Sequence, residues 1–278
     1  MRDLPDFENP PLVEVVLGVQ FDPLPALRSA HLGLWWQQFR KELPRAEEVP
    51  PLPPVVERFG VQTVGPPRAR LMISPQAAVN RTWFMSDNGA ELVQVQPDRF
   101  LHNWRKVASG DKYPRYELIA KDFLGELESF QRFVEGENLG GPFRINQCEI
   151  VYVNVIGDPA SAPSDWVGHS DPGAIVAALR LPVNESLGPP EDVTLMIRHM
   201  IPGNVGRPAG RLTMEFEPTF VGDENRETYR LQLTARGEPI GEGIDGAMRF
   251  LELGHRVIVK GFTQITTPKM HKMWRRLQ

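Results

Sequence analysis

Two stretches of this 278-residue chain, Val13-Glu-Val-Val-Leu-Gly-Val-Gln-Phe21 and Cys148-Glu-Ile-Val-Tyr-Val-Asn-Val-Ile156, align without gaps and set Glu14 over Glu149. Runs this rich in β-branched and apolar residues read as strands buried on most of their surface. Each opens a similar series of strand, helix or helix-like segment, several antiparallel strands and a long helix. The repeat therefore predicts a duplicated β-α-β(4)-α unit, with halves at 1–141 and 142–278 packed as one continuous α+β unit.

The segments between fill out that plan. Leu27, Leu34, Trp35 and Phe39 fall near helical spacing, which predicts an amphipathic helix from Leu24 to Leu43, stopped by Pro44. Glu47 to Pro54 reads as an extended, exposed proline-rich connector leading to strand candidates at Val55–Val64 and Arg70–Ser74. Asp87-Asn88-Gly89 supplies the turn of a hairpin between Thr82–Ser86 and Glu91–Gln96, since Asn-Gly tolerates positive φ, and Arg99–Arg105 continues the meander. Leu118, Ile119, Phe123, Leu127 and Phe130 mark a second amphipathic helix over Tyr116–Val134. Beyond the strand Arg144–Ile156, a short helix is expected at Ala174–Leu179 and strands near Val193–Met200, Arg211–Phe216 and Glu227–Ala235. A long helix follows over Gly246–Phe262, then a last turn or helix that Pro268 opens. The hairpin and short connections argue for a curved antiparallel sheet covered by long helices and against a doubly wound parallel one. That plan resembles TATA-binding-protein-like and helix-grip folds in architecture alone.

Phe7-Glu-Asn-Pro-Pro-Leu-Val-Glu-Val-Val-Leu-Gly-Val-Gln-Phe21, Val95-Gln-Pro-Asp-Arg-Phe-Leu-His-Asn-Trp-Arg105 and the closing His255 to Thr267 together resemble a sporadically distributed bacterial family of uncharacterised function. The resemblance implies an accessory role, in defence or biosynthesis, with a dedicated partner.

A net charge of −4 gives the molecule no overall bias toward nucleic acid or an anionic membrane surface. The single cysteine, Cys148, excludes an intramolecular disulfide framework and a multi-cysteine metal site. An acidic, proline-broken N-terminus and the lack of a 20-residue apolar run predict a cytoplasmic protein that does not enter a membrane. The histidines show no HExxH or HxH spacing, and there is no GxSxG, P-loop or GxGxxG motif. No metal, cofactor or catalytic residue is assigned.

The densest polar and aromatic set is Gln94, Gln96, Asp98, Arg99, His102, Asn103, Trp104 and Arg105. Alternation along a strand puts Gln94 with Gln96, and His102 with Trp104 opposite Asn103 and Arg105. The set reads either as a recognition surface or as a structural hydrogen-bond network. A second set, Lys272, Trp274, Arg275 and Arg276, combines cations with an aromatic ring, as phosphate binding or base stacking requires; a solvated helix end is the plainer reading. The expectation is a non-catalytic binding or adaptor protein with a protein partner. The alternatives are a nucleic-acid binder using the sheet face and basic C-terminus, and an enzyme or small-ligand binder with a groove between sheet and helix. A homodimer through an open sheet edge is a further possibility.

Overall fold

The computed structural model describes residues 4–60, 80–108, 110–157, 161–162, 164, 166–180, 186, 188–203 and 206–278. They form an α+β protein whose strands are β1 (Leu12–Phe21), β2 (Arg45–Val49), β3 (Arg81–Met85), β4 (Glu91–Gln96), β5 (Arg99–Arg105), β6 (Ile145–Ile156), β7 (Leu195–Ile201), β8 (Gly210–Val221) and β9 (Arg226–Gly237). The helices are α1 (Ser29–Trp36), α2 (Tyr116–Gly136), α3 (Pro172–Ile175), α4 (Gly243–Ile265) and α5 (Pro268–Met273). All nine strands join one antiparallel sheet in the order β2-β3-β4-β5-β1-β6-β9-β8-β7. Its centre is the pairing of β1 with β6, where Val16 faces Val151.

Alternation along the strands decides which face meets the helices. Val15, Leu17, Val19 and Phe21 of β1 and Cys148 and Ile150 of β6 are fully buried. Helix α2 covers the β1–β5 side with Phe123, Leu127 and Phe130, while α4 covers the β6–β9 side with Phe250, Leu251 and Ile258. Each such side chain contributes about 1.5–3 kcal/mol by leaving water. Helix α4 packs close because a Cβ at Gly254 would lie 2.5 Å from Ile150 Cγ2. At Gly237 a Cβ would meet the Ala209 carbonyl oxygen at 2.2 Å, so β9 can pair with the start of β8 there only through glycine.

Several expectations are corrected. The helix expected over Leu24–Leu43 is confined to α1, because the amides of Leu24 and Ala26 bond to the carbonyls of Pro97 and Leu139 rather than to a helical turn. The start of the expected connector belongs to β2, which pairs with β3 from Arg45 opposite Met85 to Val49 opposite Arg81. Residues 55–60 join no strand; 61–64 and the Arg70–Ser74 candidate lie outside the described residues. Between β6 and β7 the expected short helix at Ala174–Leu179 is α3 followed by a separate turn at Ala177–Leu179.

Candidate functional site

The sheet face turned away from the helices is polar. In one row across four neighbouring strands stand Gln96 (β4), Arg99 (β5), Gln20 (β1) and Gln147 (β6), each the direct cross-strand partner of the next. All four are at most 5% exposed. Their cover is residues 50–59, Pro-Pro-Leu-Pro-Pro-Val-Val-Glu-Arg-Phe, an extended strap running across the strands.

The strap meets one polar side chain per strand. Gln96 accepts the Leu52 amide N–H at 2.9 Å and donates to the Leu52 carbonyl at 2.9 Å. Gln20 does the same to Val55, accepting at 2.9 Å and donating at 2.5 Å. Arg99 donates from Nη2 to the Pro53 carbonyl at 2.8 Å and to Gln20 Oε1 at 2.7 Å. Gln147 accepts the Glu57 amide at 3.1 Å. The Glu57 carboxylate then reaches Arg211 Nε at 2.8 Å and Arg236 Nη1 at 3.7 Å, and Arg211 also donates to the Arg58 carbonyl.

The fit is metrical. Strand spacing of about 4.8 Å puts β4 and β6 about 14 Å apart. Five residues of polyproline II, at about 3.1 Å each, cover about 15 Å from Leu52 to Glu57. Prolines at 50, 51, 53 and 54 fix φ near the value polyproline II needs and have no N–H to leave unpaired.

Beside the strap, a second network locks the sheet face. Arg81 Nη1 and Trp83 Nε1 donate to Gln94 Oε1, Gln94 donates to Asn103, and Asn103 and Arg105 both donate to Glu14 Oε1. Arg236 pairs with Glu149 at 2.6 Å, as Arg105 pairs with Glu14 at 2.9 Å, each in direct cross-strand register. Arg99 differs from these paired cations. Burial pushes its pKa down, against the pull of Glu149 and Asp98, and its Nε has no hydrogen-bond partner among the described residues.

The expected candidates therefore divide. Gln96, with Asp98 bonded to its amide at 2.6 Å, and Arg99 hold the strap. Gln94, Asn103 and Arg105 belong to the network. His102 and Trp104 face the helices: Trp104 packs on Tyr113, and the His102 ring lies 2.7 Å from Glu126 and 3.2 Å from Glu91. Burial alone would lower the His102 pKa, but the two carboxylates outweigh it and raise it to about 10. Trp274 is no stacking platform. It is fully buried against Phe262 and Phe7 and donates to the Ser161 carbonyl. Arg275 pairs with Glu8, and Arg276 donates to the Gln278 carbonyl, while Lys272 is exposed.

Sequence reasoning missed Gln20, Gln147, Glu57, Arg211 and Arg236. The signal for the first two was an amide inside an apolar strand run, alone at Gln20 and beside Asn146 at Gln147, which when buried needs a specific partner. Among the described residues no group of three or more His, Cys, Asp or Glu side chains could hold a metal ion. No helix is long and apolar enough to cross a membrane, again among the described residues. Set against family models, curated proteins and solved structures, the chain matches none of them.

Proposed function

We propose that this is a non-catalytic binding protein whose polar sheet face receives an extended, proline-containing segment of a protein partner, and that residues 50–59 fill the same site in cis until the partner replaces them. One observation carries the reading: Gln96 and Gln20 each bond both the N–H and the C=O of a single strap residue. That is recognition of backbone, the way a strand edge reads a peptide, and the Glu57 pairs with Arg211 and Arg236 add a preference for a carboxylate at the end of the segment. Polyproline segments suit it because little entropy is lost on binding.

The strand order supports duplication of one unit. It runs β1-β5-β4-β3-β2 to one side and β6-β9-β8-β7 to the other, so the expected four strands after the first are found in one half and three in the other among the described residues. The Glu14–Arg105 pair recurs as Glu149–Arg236. The nucleic-acid alternative has less support, since Arg105, Arg211, Arg230 and Arg236 are each paired with a carboxylate.

The test is a protein in which residues 50–59 are replaced by Gly-Ser of equal length, titrated with a labelled peptide of the strap sequence. The folded variant should bind it saturably, and wild type should bind far more weakly, because its own strap competes at the high effective concentration of a tethered ligand. No binding to the folded variant would reject the reading.

A further inference from the structure

On the opposite, helix-covered side, the N-terminal segment, the start of α2, β6 and α4 line a half-open cavity of about 330 Å3. We propose that this cavity binds a small, uncharged, mainly apolar molecule that carries a hydroxyl group. Its volume lies at the lower end of the range for small-molecule sites. Phe7, Leu12, Leu233, Ile258 and Phe262 supply apolar wall, and Tyr113, Tyr152 and His255 a polar end.

The polar end is a continuous chain. Tyr113 Oη lies 3.0 Å from Tyr152 Oη, which lies 2.8 Å from His255 Nδ1. Tyr116 stacks on the His255 ring at 4.1 Å, nearly parallel, and so fixes its plane. The chain can run in either sense, with Tyr113 donating toward His255 or the reverse. In both senses its two ends, the Tyr113 hydroxyl and His255 Nε2, present one donor and one acceptor. A ligand hydroxyl, which is both, satisfies either arrangement; a carboxylate satisfies only a donor.

The polar end itself carries no charge. Burial pushes the Tyr113, Tyr116 and Tyr152 hydroxyls upward, and burial also depresses His255 to about 4 against the pull of Glu117, so these four groups are neutral at pH 7. The charged groups on the lining are Asp6, Arg115 and Glu117, and the two carboxylates disfavour an anionic ligand. The one cation on the lining, Arg115, is bound to Asp6 at 2.5 Å and donates to the Phe7 carbonyl. Arg115 sits at φ 80° and ψ 154°, a region that is essentially glycine's. Such strain costs about 1–3 kcal/mol and concentrates at ligand sites.

The probes are 2-naphthol, naphthalene and 2-naphthoate, titrated into the full-length protein by calorimetry. We expect saturable one-to-one binding of 2-naphthol, with naphthalene and 2-naphthoate each at least about 10-fold weaker, since one buried polar group left unmatched costs about that much. Tyr113→Phe should weaken 2-naphthol about 10-fold and leave naphthalene unchanged. Val259→Trp, which fills the cavity from α4, should abolish binding while thermal unfolding confirms a folded protein. The Gly-Ser strap variant should bind 2-naphthol like wild type, which separates this site from the sheet face. Absence of saturable 2-naphthol binding, equal affinity for naphthalene, tighter binding of 2-naphthoate, or 2-naphthol affinity unchanged in folded Tyr113→Phe would overturn the proposal.

Discussion

Replacing Gln20 by Leu removes three hydrogen bonds while nearly conserving volume. Two join the side-chain amide to the N–H and C=O of Val55, and one receives Arg99 Nη2 at 2.7 Å. Val55 is half-buried, so its backbone groups partly rehydrate and each neutral bond counts about 1 kcal/mol. Arg99 is 4% exposed and keeps the Pro53 carbonyl, so losing its charge-assisted bond to Gln20 adds at least about 1 kcal/mol. The total, about 3 kcal/mol, falls on strap docking and corresponds to an opening equilibrium raised on the order of 100-fold. Amide hydrogen exchange read by mass spectrometry reports it directly, because the Leu52, Val55 and Glu57 amides bond to glutamine side chains. Their exchange should accelerate on the order of 100-fold, or to the unprotected limit, while β6 amides change far less. Unchanged strap exchange, or strap and β6 amides accelerating by one common factor, would refute the reasoning; the latter would make the strap an inseparable part of the core.

Other perturbations have defined outcomes. Because the folded-state pKa of His102 is raised to about 10, its stabilisation is fully present below about 6.5 and drains away as pH rises toward 10. Unfolding free energies from denaturant titrations should fall across that window by about a few kcal/mol in wild type and much less in His102→Gln. His255 acts on the other side: its pKa of about 4 means stability is lost as pH falls from about 6.5 to 4, and His255→Phe should flatten that limb. Gly237→Ala should cost at least about 3 kcal/mol or prevent folding, since its methyl group would meet backbone oxygen, as thermal unfolding would reveal. The Cys148 thiol is fully buried and burial pushes its pKa up, so a thiol reagent should label native protein only at the rate of global unfolding.

What was legible in the sequence was whatever a single strand or helix decides for itself. The apolar runs at Leu12–Phe21 and Arg144–Ile156 became the two central strands because burial on one face and pairing on both sides demand such residues. Alternation along Arg99–Arg105 correctly separated His102 and Trp104 from Asn103 and Arg105. Arg45–Val49 was not legible, being a charged edge strand whose existence depends on β3 across space. Nor was the strap's position. Prolines announced an extended segment, but the face it crosses is set by Gln20 and Gln147, far apart in sequence and adjacent only through the β1–β6 pairing. Trp274 misled for a related reason: flanking cations suggested a surface, while Phe7 from the opposite end of the chain closes over it.

The central claim is that Gln96, Gln20 and Gln147 read the strap's backbone, with Glu57 the strap side chain held by charge, and chemically modified strap peptides test it most directly. The measurement compares binding to the Gly-Ser strap variant of the peptide itself, of an analogue N-methylated at the Val55 amide, and of one carrying Val55→Ala. Losing the N–H that Gln20 accepts should weaken binding at least about 10-fold, while trimming the side chain should matter much less. A tolerated N-methyl group together with a damaging Val55→Ala would contradict backbone recognition at this site.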